Sequence, residues 1–309
     1  MPGFNVDNVA DLLERFHPGA DSLAEALRSQ YPPDSRDVGY QALEYHRQVS
    51  SPDGVSPERL RALIGAIDLT SLKGFDTAEG IRALCAQALR PDEIIETPSC
   101  AAVCVYPAFI TTAREVLHDT RVRVATVAAG FPDGQTLTEI KIAEVRACVR
   151  AGADEVDVVL NRGAFAEGRL SAVYAELIAL REAAEGVVLK VILETCELSD
   201  DEAIQRAATI AMLAGAEFVK TSTGKGAGGA TLPHIIIIAD AVSEFAVRTG
   251  RFVGIKPADG VSLELALASA AVIEKKLGSD ALCPERFRIG ASSLLAQLLS
   301  RLAQSEVAL

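Results

Sequence analysis

Residues 155–194 read EVDVVLNRGAFAEGRLSAVYAELIALREAAEGVVLKVILE, and this segment indicates the fold class. Its two ends, 155–160 and 189–194, are short runs rich in Val, Leu and Ile, which is typical of strands buried on both faces. Between them, 174–184 has the length and the amphipathic pattern of a helix. A strand, a helix and a second strand in this order predict a parallel βαβ unit.

The same alternation extends along the chain in both directions. Further β-type segments lie at 63–69 (LIGAIDL), 101–106 (AAVCVY), 122–128 (VRVATVA), 217–222 (EFVKTS), 252–256 (FVGIK) and 287–290 (FRIG), and helical patterns occupy 138–151 and 200–214. Eight strands in about 245 residues fit a closed barrel better than an open doubly wound sheet, which more often has five or six strands. We therefore predict an α/β fold, the (β/α)8 or TIM barrel, as the catalytic domain over residues 58–309.

Residues 1–57 do not belong to this repeat. Two amphipathic helical patterns, at 6–16 and 21–30, are followed by a Pro-rich break at 31–33 and a turn-like Ser-Pro-Asp-Gly at 51–54. We predict a helical N-terminal extension packed on the barrel, because a separate functional domain would need a larger core.

The charge balance limits the classes of ligand. The 309 residues contain 30 basic and 42 acidic side chains, which gives a formal net charge of −12. Such a field repels polyanions and disfavours a nucleic-acid partner, so the sequence indicates small ligands, with any phosphate held locally. No apolar run reaches the roughly 18 residues that cross a bilayer, and the acidic amino end is unlike a secretory signal. We expect a cytoplasmic protein without a membrane partner.

The cysteines and histidines show no metal-binding pattern. The six cysteines lie mostly in apolar segments and are interpreted as thiols. Cys100 and Cys104 are four apart without a second ligand pair, and the four histidines are scattered. We therefore expect neither a structural nor a catalytic metal ion.

Charged residues inside the predicted strands are the main anomaly. Five of them fall in or at the end of apolar runs, namely Asp157, Lys190, Glu194, Lys220 and Lys256. An ionised side chain in such a strand costs several kcal/mol unless it is paired or functional. One such residue fits a structural ion pair, but a group of them in one barrel indicates a functional site.

Lys220 and Lys256 are predicted to point inward from consecutive strands. Adjacent strands lie about 5 Å apart, which brings the two ammonium groups within roughly 5 to 7 Å of each other. Two unit charges about 5 Å apart repel by roughly 3 kcal/mol at an effective dielectric of 20, equivalent to about 2 pKa units. One lysine would then be neutral, and a neutral lysine amine is the nucleophile of Schiff-base chemistry on carbonyl substrates.

Three loops of small residues follow the last predicted strands. They are Thr223-Gly224-Lys225-Gly226-Ala227-Gly228-Gly229, Asp259-Gly260, and Gly290-Ala291-Ser292-Ser293 at the start of a helix. Small residues let backbone N–H groups approach an anion, and a helix amino end supplies a favourable dipole. One such loop fits ordinary turn chemistry, but three of them match the place where barrels bind phosphate.

Eight segments carry motifs along the whole predicted barrel: 67–72 (IDLTSL), 101–107 (AAVCVYP), 127–136 (VAAGFPDGQT), 152–163 (GADEVDVVLNRG), 189–195 (LKVILET), 218–226 (FVKTSTGKG), 253–261 (VGIKPADGV) and 287–295 (FRIGASSLL). In these segments, and in their order, the sequence resembles the 2-deoxyribose-5-phosphate aldolase family (DeoC), whose members are class I, Schiff-base aldolases. The resemblance implies reversible cleavage of 2-deoxy-D-ribose 5-phosphate to acetaldehyde and D-glyceraldehyde 3-phosphate, with no cofactor.

The resemblance also implies a role for each matched residue. Lys220 would form the Schiff base, Lys256 would lower its pKa, and Asp157 would exchange protons with Lys256 through an ordered water. The same cavity would be lined by Asp68, Thr70, Cys104 and Lys190. The substrate phosphate would be surrounded by Thr223, Gly224, Lys225, Gly260, Ser292 and Ser293.

Two departures from the family pattern leave alternatives open. Relatives usually read KPAGG at the seventh strand, but here Asp259 follows Ala258, and the tyrosine that ends some bacterial relatives has no counterpart after Tyr174. A Schiff-base aldolase with a relaxed phosphate requirement is therefore one alternative.

Two further alternatives concern the chemistry itself. A non-catalytic phosphosugar-binding barrel is disfavoured by the intact pair of lysines. A metal-dependent barrel enzyme would need His and carboxylate ligands that the scattered histidines do not supply. A homodimer is compatible with the sequence, which does not decide the oligomeric state.

Overall fold

The computed structural model describes residues 32–49 and 55–307, together with Leu23, Leu27 and Gln30. The helix predicted at 6–16, most of the one predicted at 21–30, and the turn predicted at 51–54 lie outside the described residues.

Eight parallel strands form the centre of the molecule. They are β1 Ile67–Thr70, β2 Ala102–Val105, β3 Arg123–Ala128, β4 Glu155–Val159, β5 Val188–Ile192, β6 Phe218–Lys220, β7 Gly254–Lys256 and β8 Ile289–Ala291. Each strand pairs in parallel with the next one in sequence from β1 to β7, and β8 pairs with β1. Bridges between Ile255 and Phe287 and between Ala258 and Gly290 join β7 to the β8 segment and close the ring. The predicted (β/α)8 barrel is confirmed.

Helices connect the strands and cover the barrel. They are α1 Ser35–Val49, α2 Pro57–Gly65, α3 Ala78–Leu89, α4 Ile110–Leu117, α5 Thr138–Arg150, α6 Arg162–Ala166, α7 Leu170–Ala183, α8 Asp201–Leu213, α9 Leu232–Thr249, α10 Leu263–Leu277 and α11 Leu294–Val307, with short 3₁₀ turns at Pro107–Phe109, Thr195–Glu197 and Ser279–Ala281. The helical patterns at 138–151, 174–184 and 200–214 correspond to α5, α7 and α8. Among the described helices, none is long and apolar enough to cross a bilayer.

The strand predicted at 63–69 begins too early, because its first residues belong to α2. Leu60, Leu63 and Ile64 are buried at helical spacing on one face of α2. The hydroxyl of Ser56 accepts a hydrogen bond from a backbone N–H in the first turn and caps the helix. A short apolar run fits both periodicities, and here the capped helix continues through the first half of the run.

The described part of the N-terminal extension packs on the outside of the barrel. Helix α1 contacts α9 and α10 and buries Val38, Ala42 and Tyr45 against them. The side-chain amide of Gln30 donates a hydrogen bond of 2.5 Å to Thr209 on α8. The boundary between residues 57 and 58 stays a prediction.

The interior of the barrel has an apolar half and a charged half. Strands β2 and β3 turn small or apolar side chains inward, and these form a cluster with Leu72, namely Ala102, Cys104, Ala125 and Val127. Strands β1 and β4 to β7 turn charged side chains inward instead, and these are fully or almost fully buried. The charged half holds the candidate site.

Candidate active site

Strand register brings Lys220 and Lys256 together on one carboxylate. Lys220 pairs with Lys256 across β6 and β7, and Asp157 pairs with Lys190 across β4 and β5. Asp157 Oδ2 lies 2.9 Å from Lys220 Nζ and 2.8 Å from Lys256 Nζ. The two lysines are neighbours, as the alternation of the strands predicts. The carboxylate between them moderates their repulsion, which the sequence argument on the pair did not include.

Lys190 and Asp68 extend this arrangement across the barrel. Lys190 Nζ lies 2.8 Å from Asp157 Oδ1, 2.5 Å from Glu155 Oε2 and 3.6 Å from Asp68 Oδ2. Lys256 Nζ lies 2.5 Å from Asp68 Oδ2. Each of these two lysines therefore contacts more than one carboxylate.

Arg288, just before β8, completes the network. Its guanidinium lies 2.6 Å from Asp68 Oδ1 and 2.8 Å from Glu155 Oε1. Sequence reasoning missed both Glu155 and Arg288. Glu155 lies two residues before Asp157 and so shares its strand face. Strand alternation could therefore have predicted that Glu155 points into the barrel. We call the seven side chains the buried charge cluster: Asp68, Glu155, Asp157, Lys190, Lys220, Lys256 and Arg288.

Opposite charges fix the ionisation of most of the buried charge cluster. Burial opposes the ionised form of Asp157, but the ammonium groups of Lys190, Lys220 and Lys256 outweigh it and hold the pKa of Asp157 well below its ordinary value. Burial likewise disfavours the charged form of Lys256, yet Asp157 and Asp68 raise its pKa. Asp68 has a lowered pKa and Lys190 a raised pKa for the same reasons. At neutral pH these two aspartates are anionic and these two lysines are cationic.

A cavity of about 420 Å³ opens at the carboxyl ends of the strands, directly above the buried charge cluster. Of the cluster, only Lys220 lines it. Seven of the predicted substrate-binding residues line it as well, namely Thr70, Thr223, Gly224, Lys225, Gly260, Ser292 and Ser293. The other predicted site residues lie beneath: Asp68, Asp157, Lys190 and Lys256 are in the cluster, and Cys104 is in the apolar half, where burial raises its pKa.

The loop after β6 is held by Glu194, at the end of β5. Glu194 is fully buried in a left-handed conformation (φ 54°), and its carboxylate accepts hydrogen bonds from the backbone N–H and the hydroxyl of Thr223. The Thr223 hydroxyl in turn accepts from the Lys225 N–H at 3.0 Å. Thr223 therefore shapes the loop, because both of its polar groups are already engaged.

Lys225 and Asp259 both line the cavity, and no ion pair joins them in the described part of the chain. Lys225 Nζ donates to the carbonyl of Leu72 at 2.6 Å, which links the loops after β6 and β1. Asp259 has φ 64° and lines the cavity beside Gly224, and within the described residues its carboxylate makes no ion pair. Among the described residues that line the cavity, Asp259 is the one with a negative side chain.

Ser292 and Ser293 precede α11 and bring its amino end to the cavity. A helix amino end favours an anion through its free N–H groups and its dipole. Within the described residues, no group of three or more His, Cys, Asp or Glu side chains is placed to hold a metal ion.

Comparison with known proteins agrees with this architecture. Residues 62–300 match the model of the DeoC/LacD family of aldolases. A human deoxyribose-phosphate aldolase is 42% identical over 247 residues, covering 75% of this chain and 77% of its own, and the Bos taurus enzyme is 41% identical over 250 residues, covering 76% and 78%. The solved structure of a tetrameric deoxyribose phosphate aldolase from Aeropyrum pernix superimposes with a TM-score of 0.62 at 26% identity, covering 90% of this chain and all of its own. The chain therefore belongs to the DeoC/LacD family of aldolases, and the family resemblance of its strand motifs is confirmed.

Proposed function

We propose that the protein is a class I aldolase that reversibly cleaves 2-deoxy-D-ribose 5-phosphate into acetaldehyde and D-glyceraldehyde 3-phosphate through a Schiff base on Lys220. One observation carries the assignment of the nucleophile. Among the three lysines of the buried charge cluster, Lys220 alone lines the cavity, and among the described residues it contacts a single carboxylate, which it shares with Lys256. Of the three amines it is the one that an aldehyde in the cavity can reach and the one with the fewest carboxylate contacts.

The chemistry begins with attack of the Lys220 amine on the aldehyde carbon of the open-chain sugar. Loss of water from the carbinolamine gives an iminium, which is an electron sink. Removal of the proton from the C3 hydroxyl breaks the C2–C3 bond, releases glyceraldehyde 3-phosphate and moves the electron pair into an enamine. Protonation of the enamine at C2 and hydrolysis of the resulting iminium release acetaldehyde and regenerate Lys220. No cofactor is needed for these steps.

Asp157 and Lys256 are the proposed proton-transfer groups. Asp157 touches both Lys220 and Lys256, so protons can pass within the trio or through a water that enters with substrate. Burial opposes the charge of Lys256, but the adjacent Asp157 and Asp68 raise its pKa, which supports its role as a fixed positive charge beside Lys220.

The phosphate is proposed to bind at the cavity mouth. Gly224, Lys225, Gly260, Ser292 and Ser293 line the cavity there, and their backbone N–H groups, the two hydroxyls and the ammonium are the proposed phosphate ligands. The carboxylate of Asp259 opposes an anion, which supports a weaker preference for phosphorylated sugars as a second possibility for substrate selection. Assembly as a homodimer stays a prediction, and the Aeropyrum pernix relative is a tetramer.

The direct test is a cleavage assay that couples glyceraldehyde 3-phosphate release to a dehydrogenase. We expect turnover of deoxyribose 5-phosphate in excess chelator, and its loss in Lys220→Met. Lys276→Met is the matched control, since Lys276 pairs with Asp240 on the helical layer away from the cavity. Binding of the sugar phosphate without any turnover by the parent protein would instead identify a non-catalytic barrel, and inhibition by chelator would identify a metal-dependent enzyme.

A further inference from the structure

Arg288 and Glu155 lie in the barrel beneath the reacting lysine, and the proposed mechanism gives neither of them a step. Arg288 is 3% exposed and Glu155 is fully buried, and neither lines the cavity. A buried arginine that bridges two carboxylates is expensive to place in a protein interior. Its guanidinium contacts the carboxylates of Asp68 and Glu155, the carbonyl of Pro284 and the ring of Phe218, and of these only the two carboxylates are charged.

The formal charges of the buried charge cluster do not cancel. Asp68, Glu155 and Asp157 face Lys190, Lys220, Lys256 and Arg288, so three carboxylates meet four cations, and the cluster has a formal charge of +1 when all are ionised. A net charge in a buried space is unfavourable and favours release of one proton. Without Arg288, three lysines would match three carboxylates, and the reason to release a proton would disappear.

The contacts decide which group loses the proton. Arginine keeps its charge in proteins. Lys190 contacts three carboxylates and Lys256 contacts two, but Lys220 contacts only Asp157 among the described residues, so Lys220 is the cation with the least compensation.

The remaining charged or titratable groups around Lys220 do not cancel this excess. Cys104 on β2 stays neutral because burial raises its pKa. Arg123 lies 3.7 Å from Glu155 but is half exposed, so water screens it. On the cavity side stand the loop residues Lys73, Lys225 and Asp259, where solvent screens the charges as well.

We infer that Arg288 is a positioning residue that occupies Asp68 and Glu155, keeps the buried charge cluster one positive charge in excess, and so leaves the Lys220 amine free to attack an aldehyde. This inference rests on the proposed function. A merely structural arginine would affect stability without moving the pH at which the Schiff base forms, so the pH profile distinguishes the two roles.

The test measures Schiff-base formation against pH, as the fraction of protein that acetaldehyde and borohydride convert to the reduced adduct. Arg288→Met removes the excess charge, and we expect the midpoint of the profile to move to higher pH by about one unit. Arg288→Lys keeps the charge, and its midpoint should stay with the parent. The double variant Arg288→Met with Glu155→Gln restores the formal charge of +1 and should return the midpoint towards that of the parent.

The outcomes separate the inference from the proposed function. An adduct in the parent protein with an unmoved midpoint in Arg288→Met overturns the inference alone. No adduct in the parent overturns the proposed function and the inference with it. If Arg288→Met does not fold, Glu155→Gln decides: its cluster carries one more uncompensated positive charge, so its midpoint should move to lower pH, and an unmoved midpoint contradicts the inference.

Discussion

Replacing Lys256 by Met should shift Schiff-base formation to higher pH. Both ammonium nitrogens contact Asp157 Oδ2, so Lys220 and Lys256 lie within about 6 Å of each other, and at an effective dielectric of 20 two unit charges repel by about 3 kcal/mol at that distance. Without Lys256, Asp157 Oδ2 would accept a hydrogen bond from Lys220 and no longer share it with a second ammonium group. Both changes favour the Lys220 ammonium, and together they correspond to a shift of about 2 pH units in the midpoint.

The assay is adduct formation with acetaldehyde and borohydride across a pH series, followed by intact mass. Turnover is less informative, because Lys256 is also a proposed proton-transfer group. Lys141→Met is the matched control: Lys141 is fully buried and lies 2.7 Å from Glu176, but it stands between α5 and α7 outside the barrel interior. The control should lose stability without a shift. A parent-like profile in Lys256→Met would show that the charge of Lys256 has no effect on the Lys220 amine.

Three further predictions concern selectivity and stability. Asp259→Gly, at a backbone φ of 64° that glycine adopts freely, should raise the ratio of kcat/KM for deoxyribose 5-phosphate over free deoxyribose by about fivefold or more, because a carboxylate about 5 Å from a phosphate costs at least about 1 kcal/mol; an unchanged ratio would make the side chain a bystander. Gly254→Ala would put a Cβ 2.2 Å from the ring of Phe218, so we expect the free energy of unfolding to fall by about 1 to 3 kcal/mol. Gly39→Ala on α1, with no atom within 4 Å of its Cβ, should cost no stability, and equal melting temperatures of the two variants would contradict the packing. Asp157 should make the fold acid-labile, because its pKa is lower in the folded than in the unfolded protein. The stability that it contributes is present above its unfolded pKa of about 4 and is lost as the pH falls from there towards its folded pKa. A denaturation midpoint that stays constant from neutral pH to about pH 3 would argue against the buried ion pairs.

The sequence predicts the barrel because βα alternation has a strong local signal. It predicts the pair Lys220 and Lys256 for the same reason, since strand alternation assigns both to the inner face. The predicted start of β1 was wrong, because a capped helix and a strand both fit the same apolar run. Local pattern alone could not supply this boundary.

The buried charge cluster was only partly predictable. Its members come from β1, β4, β5, β6, β7 and the residue just before β8, and only closure of the ring brings Arg288 onto Asp68 and Glu155. A single charged residue in one strand fits a structural ion pair as well as a functional group. The hydrogen bonds from Thr223 to Glu194 depend on a left-handed backbone at Glu194, and a glutamate does not by itself predict that conformation.

Trapping with acetaldehyde tests whether Lys220 forms the covalent intermediate. Borohydride reduction followed by peptide mass spectrometry should place one ethyl group on the peptide containing Lys220, and none should form in Lys220→Met. An adduct on Lys256 or Lys190, or no adduct on any residue, would contradict the assignment of Lys220 as the nucleophile.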